Sequence, residues 1–153
     1  MKKFKFTLDS VHKVREIRQE KETLILAELQ AEADKARQHL AQVQLARQEA
    51  LESFTARLTA GQQLDPTELE IHSRHVTALE RQQLEAEADL AQKQRECNIQ
   101  VELVGEAMRD VKVTDQLRET QQERHQIEHT RQAQTSADEL VSATYARRMV
   151  QGK

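Results

Sequence analysis

Apolar and small side chains return along the first third of the chain at alternating spacings of four and three. Leu29, Ala33, Ala36, Leu40 and Val43 are followed by Arg47 as an interruption, then by Ala50 and Phe54. That is a heptad seam, one apolar stripe on a helix, and only a partner helix can cover such a stripe. Neither proline nor glycine occurs in residues 1–60, so the pattern predicts a first helix over residues 9–60, about 75–80 Å long at about 1.5 Å per residue. Punctuation then comes once. Gly61 suits the left-handed conformation that ends a helix, Asp65 can cap the next one, Pro66 fits its first position, and Glu68 stands at capping-box spacing. Leu64 and Leu69 flank this cluster as a hydrophobic staple would, so residues 61–65 read as a turn and residue 66 as a helix start.

The seam resumes as Leu69, His72, Val76, Leu79, Gln83, Ala86, Leu90, Lys93, Cys97, Gln100, Val104, Ala107 and Val111. Polar entries at core positions weaken such a seam while fixing its register. A short turn makes the two helices antiparallel neighbours, and a turn centred near residue 63 makes facing residue numbers add to about 126. Leu8 then faces roughly Arg118. The apolar stripe of the second helix fades after Leu117, where the first helix has no residues left to face it. A second helix over residues 66–134 therefore overhangs from Glu119, at the end that carries both termini.

Residues 135–153 read as a C-terminal amphipathic basic extension. Ser136 and Glu139 have capping-box spacing, although one continuous helix through them is equally allowed. Ala137, Val141, Tyr145 and Met149 follow at steps of four beside Leu140, with Arg147 and Arg148 in the same stretch. The expected fold class is all-α: a single coiled-coil domain over residues 1–153, built as an antiparallel hairpin of two long helices.

Composition supports this by exclusion. Of 153 residues, 37% are hydrophobic, 32% charged and 3% aromatic, too few apolar groups for an ordinary core. Three glycines and one proline cannot supply the turns of an all-β or α/β domain. Abundant Ala, Leu, Glu, Gln and Arg with a net charge of only -3 argue for long helix over disorder. The small net charge conceals an asymmetry. Residues 1–21 carry seven Lys/Arg against three acids, residues 22–139 carry 13 against 23, and residues 140–153 carry three against none. An acidic body between basic ends repels phosphate, so no nucleic-acid partner is expected.

No apolar run approaches the roughly 18 residues of a membrane span, and charged sequence follows Met1, Lys2 and Lys3, so neither a transmembrane helix nor a signal peptide is expected. Cys97 is alone and cannot form an internal disulfide, which makes the cytoplasm the default location. Lys2, Lys3, Phe4, Lys5 and Phe6 mix basic and aromatic residues, but the stretch from Lys3 to Leu8 alternates like a strand lead-in and is too short for an interfacial helix. They read as an extended arm ahead of a cap at Asp9 or Thr7.

Residues that would carry chemistry are not found in the needed patterns. The chain lacks a glycine-rich phosphate loop, an H-E-x-x-H sequence, a C-x-x-C pair and the Glu-x-x-His pairs of helical di-iron proteins. His72 with His75 and His125 with His129 share helix faces, yet neither pair has a clear third ligand, and helix surface accounts for both. Cys97 on the seam reads as a small buried hydrophobe. No catalytic residue, cofactor or metal is expected.

The opening Phe4, Phe6, Leu8, Asp9, Val11, Val14, Arg15 and Glu16 resembles the start of the FliJ family of bacterial flagellar export proteins. Chain length, the single turn with Leu69 and Leu79 beyond it, and Asp138 and Glu139 ahead of a basic end with Arg147 and Arg148 agree with it. Ser10 stands where many relatives have proline, and His12 where they usually have leucine. The resemblance implies a non-enzymatic coiled-coil stalk of the flagellar type III export apparatus. Its implied partners are the hexameric export ATPase, the export-gate membrane protein and escort chaperones, and its implied place is the cytoplasmic face of the inner membrane at the flagellar base. On that basis Arg15, Arg18, Asp138, Glu139, Leu140, Tyr145, Arg147 and Arg148 are the expected ATPase contact, and Phe54, Leu58 and Ile71 the expected gate or chaperone contact. A generic cytoplasmic coiled-coil scaffold and a holdase-type chaperone are the alternatives.

Overall fold

The structure is a computed structural model that describes residues 3–152. Lys2 of the expected arm and Lys153 of the expected basic end lie outside the described residues. Two helices make up the chain, α1 over Asp9–Thr59 and α2 over Pro66–Gln151, with no strand among the described residues. The fold is all-α, a helical hairpin. Packing groups the chain into two compact units, one of Glu20–Glu106 and one of Met1–Gln19 with Ala107–Lys153.

In the unit Glu20–Glu106 the helices meet in the register set by the turn. Arg57 donates to Glu68 at 2.9 Å, Phe54 stacks on His72 with ring centroids 4.1 Å apart, Arg47 donates to Glu80 at 3.2 Å, and Lys93 donates to Glu32 at 2.9 Å. Each of these pairs has residue numbers adding to between 125 and 127. The buried positions Ala33, Ala36, Val43, Leu79 and Ala86 fall on the two seams. In this register Leu40 is level with Ala86 and Ala36 with Leu90, so a large residue meets a small one. Some polar seam positions bond across the pair, while Arg47 Nε and His72 Nε2 are buried without a hydrogen-bond partner. Buried Gln100 donates to the Glu22 carboxylate at 2.6 Å and to the Glu22 carbonyl at 3.0 Å. A slip of the register would leave that amide unpaired, at a cost of about 1–3 kcal/mol.

The turn follows its residue chemistry with two departures. Gly61 has φ of 69° and its N–H donates to the Leu58 carbonyl at 3.2 Å. The Asp65 carboxylate accepts from the Thr67 N–H at 3.3 Å, its carbonyl accepts from the Leu69 N–H at 3.1 Å, and Pro66 opens α2. Glu68 does not close a capping box; the stronger charge-assisted bond from Arg57 takes its carboxylate instead. Leu69, expected on the seam, stays 48% exposed because Phe54 and His72 form the first stacked layer beyond the turn.

Two glycines make a test of opposite signs. Gly61→Ala forces a side chain into the left-handed region and is expected to cost about 1–2 kcal/mol. Gly105 lies inside α2, and a Cβ there would meet nothing within 4 Å. Gly105→Ala is expected to stabilise by about 0.4–1 kcal/mol. Denaturant unfolding followed by circular dichroism reads both, and equal signs would contradict the backbone assignment.

The Glu32–Lys93 pair adds a pH dependence. The hydrogen bond from Lys93, and then its charge, hold the Glu32 carboxyl below the usual carboxylate range, and the same contact raises the Lys93 ammonium above its ordinary value. The acid's contribution is present above the usual carboxylate range and is lost as pH falls through its lowered pKa. The lysine's contribution is present below the usual lysine range and is lost as pH rises through its raised pKa. Thermal midpoints of wild type and Lys93→Gln are therefore expected to differ most in the neutral range and to converge at strongly acid pH. A constant difference at all pH values would show that the pair contributes through packing only.

In the second unit the chain enters α1 without a side-chain cap. The first helical bond runs from the His12 N–H to the Leu8 carbonyl at 2.9 Å, which places Leu8, and neither Asp9 nor Thr7, at the cap position. Asp9 sits in the first turn and accepts from Lys13 at 2.9 Å, which holds its carboxyl below the usual range. The extended arm ahead of it is packed: Phe6 is buried, and Phe4 meets His125 edge-on at 5.6 Å. Gln121, His125 and His129 of α2 are half-buried accordingly, so the bare part of α2 begins beyond His129 and not at Glu119. All of residues 130–152 are exposed, and α2 runs through Ser136 and Glu139 without a break to Gln151.

Candidate interaction surface

One polar cluster joins α1 to α2 in the unit that holds the termini. His12 is 3% exposed, and its Nδ1 lies 2.7 Å from the Thr114 hydroxyl, itself 1% exposed. On the other side of the ring, Nε2 lies 3.1 Å from a Glu16 carboxylate oxygen and 3.2 Å from one of Asp115, so this nitrogen carries a proton. Thr114 also reaches the Val111 carbonyl at 2.9 Å. The hydroxyl is thus placed by its own helix turn, and the ring is placed by three groups around it. Nothing here is arranged to attack or to hold a ligand: the imidazole is enclosed and its nitrogens are engaged. The contact obeys the register of the turn, since 12 and 114 add to 126, but the sequence pattern singles out neither residue, its second seam running only as far as Val111.

Arg15 and Arg18 belong to the same neighbourhood. Arg15 donates to the Asp110 carbonyl at 2.9 Å and Arg18 to the Asp110 carboxylate at 3.3 Å. From Asp110 to Asp138 the helix rises roughly 42 Å at about 1.5 Å per residue. The two arginines expected in one surface with Asp138, Glu139, Leu140, Tyr145, Arg147 and Arg148 are therefore separated from those six, and Asp110 holds both.

The six C-terminal residues share the exposed end of α2. Leu140, Val141, Tyr145 and Met149 are each at least 65% exposed, an apolar content that a solvent-facing helix does not need. Near the turn, Leu58 and Ile71 are exposed while Phe54 is half-buried and stacked on His72. Leu51, Thr55, Ala56 and Thr59 line a shallow apolar groove on α1 beside Leu58.

Among the described residues no group of three His, Cys, Asp or Glu side chains could hold a metal ion. His72 is stacked on Phe54, and His125 stands between Phe4 and His129. No described helix is long and apolar enough to cross a membrane. Against protein-family models, curated proteins and solved structures the chain finds no match. Fold and surface define it by class: a two-helix antiparallel hairpin whose second helix carries an exposed, amphipathic, basic end.

Proposed function

We propose that the protein is a non-enzymatic stalk or adaptor of the flagellar type III export apparatus. It binds the hexameric export ATPase, promotes its assembly and activity, and links it to the export-gate membrane protein and to escort chaperones on the cytoplasmic side of the inner membrane at the flagellar base. The observation that carries this reading is the end of α2: residues 130–151 form regular helix, are exposed throughout, and hold apolar side chains beside Arg147 and Arg148 with no internal partner. A helix of this kind suits docking into a complementary groove or ring, where charge orients it and its apolar residues supply the contact. The N-terminal pattern from Phe4 to Glu16 supports the particular apparatus.

Within this reading Asp138, Glu139, Leu140, Tyr145, Arg147 and Arg148 make the ATPase contact, and Leu58 and Ile71 serve the gate or the chaperones. Arg15 and Arg18 support the helix pair through Asp110. Co-purification with the export ATPase, followed by its hydrolysis rate with and without the protein, tests the proposal. A generic scaffold would instead form a permanent dimer, and a holdase would slow aggregation of many unfolded proteins without regard to the ATPase.

A further inference from the structure

The exposed end of α2 has an internal symmetry that its packing does not use. Asp138, Val141, Tyr145 and Arg148 are spaced by three, four and three, so they lie in one row on one helix face. The hairpin seam, continued at its own spacing beyond Thr114, runs through 139, 142, 146 and 149, so this row is a different face from the one that pairs with α1. All four residues are exposed. Read from either end the row has the same form, charge, apolar, apolar, charge, but the charges are opposite. Asp138 and Arg148 are equally far from Ala143, and so are Val141 and Tyr145.

From this geometry we infer that the end of α2 is a docking surface for a second copy of the chain, paired antiparallel about a two-fold axis level with Ala143. In that arrangement each Asp138 meets the Arg148 of the other copy, and each Val141 meets the other Tyr145. A two-fold contact must be self-complementary, and the row satisfies that at every position. A parallel pair would set Asp138 on Asp138 and Arg148 on Arg148, which like charges oppose. A partner of different sequence would require no such symmetry. Small neighbours, Ala137 and Thr144, allow close approach on the flank of the row.

The contact spans about three turns, so it is small and reversible, unlike the permanent dimer of a scaffold. It goes beyond the export reading and does not depend on it. If both hold, self-pairing covers Tyr145 and Arg148 and so competes with the ATPase for the same residues.

Sedimentation of the full chain at low ionic strength provides the test. The weight-average mass is expected to rise from one chain towards two between ~10 µM and ~1 mM, as befits a contact well under the roughly 1,200 Å² of a standard interface. Asp138→Arg alone and Arg148→Asp alone each create like charges at both ends and are expected to weaken association by about tenfold or more. An equimolar mixture of these two variants restores both ion pairs between unlike chains, as does one chain carrying both substitutions, and each is expected to recover the wild-type association. Circular dichroism verifies that the variants stay helical. A single-chain mass at every concentration overturns the inference. So does a dimer that ignores either charge reversal, or one that the mixture fails to recover. No ATPase enters these measurements, so their failure and the failure of ATPase stimulation are separate results.

Discussion

Within the proposed export role, removing residues 136–153 is expected to return the export ATPase to its unstimulated rate while leaving the hairpin folded. The reason lies in what this stretch does not touch. Its described residues are all exposed, so deletion takes away no buried contact and leaves the layers from Phe54 with His72 to His12 with Thr114 intact. Circular dichroism should lose helical signal only in proportion to the residues removed, and the thermal midpoint should hold. Loss of stimulation without loss of stability is the signature of a docking element, since a structural element would lose both. A truncated protein that stimulates as well as the full chain would remove this end of α2 from the ATPase contact.

Thr114→Val is expected to destabilise the helix pair by about 1–3 kcal/mol. Valine keeps the shape of threonine but leaves His12 Nδ1 facing an apolar wall at a site closed to water, where an unmade hydrogen bond is lost outright. Adding His12→Leu removes the orphaned nitrogen. The double variant is therefore expected to recover most of the lost stability, because Glu16 and Asp115, both about half exposed, turn to solvent at little cost. Chemical denaturation of the four proteins gives the coupling directly. Additive effects would mean that the histidine and the hydroxyl act independently despite their 2.7 Å separation.

Much of the hairpin is legible in residue spacing alone. The three-and-four spacing through Leu29, Ala33, Ala36, Leu40 and Val43 declares a face, and the cluster of Gly61, Asp65 and Pro66 declares a turn. Because the turn is short, those two facts fix the register: the Arg47–Glu80, Glu32–Lys93 and His12–Thr114 contacts all fall where a sum near 126 puts them. The Phe4 and Phe6 arm is different. It has no periodicity, so no pattern says what it lies against, and its contact with His125 shortened the expected overhang.

Which residues form helix, where the chain reverses and which rows face inward all follow from the order of residues, because backbone hydrogen bonding and the burial of one stripe depend only on local spacing. How competing polar groups divide is settled by tertiary packing. Glu68 chose Arg57 over its own cap, and Asp110 took both Arg15 and Arg18, which left the C-terminal surface without them. Several partners lie within reach of each such charge, and only the three-dimensional placement of the neighbouring helix selects among them.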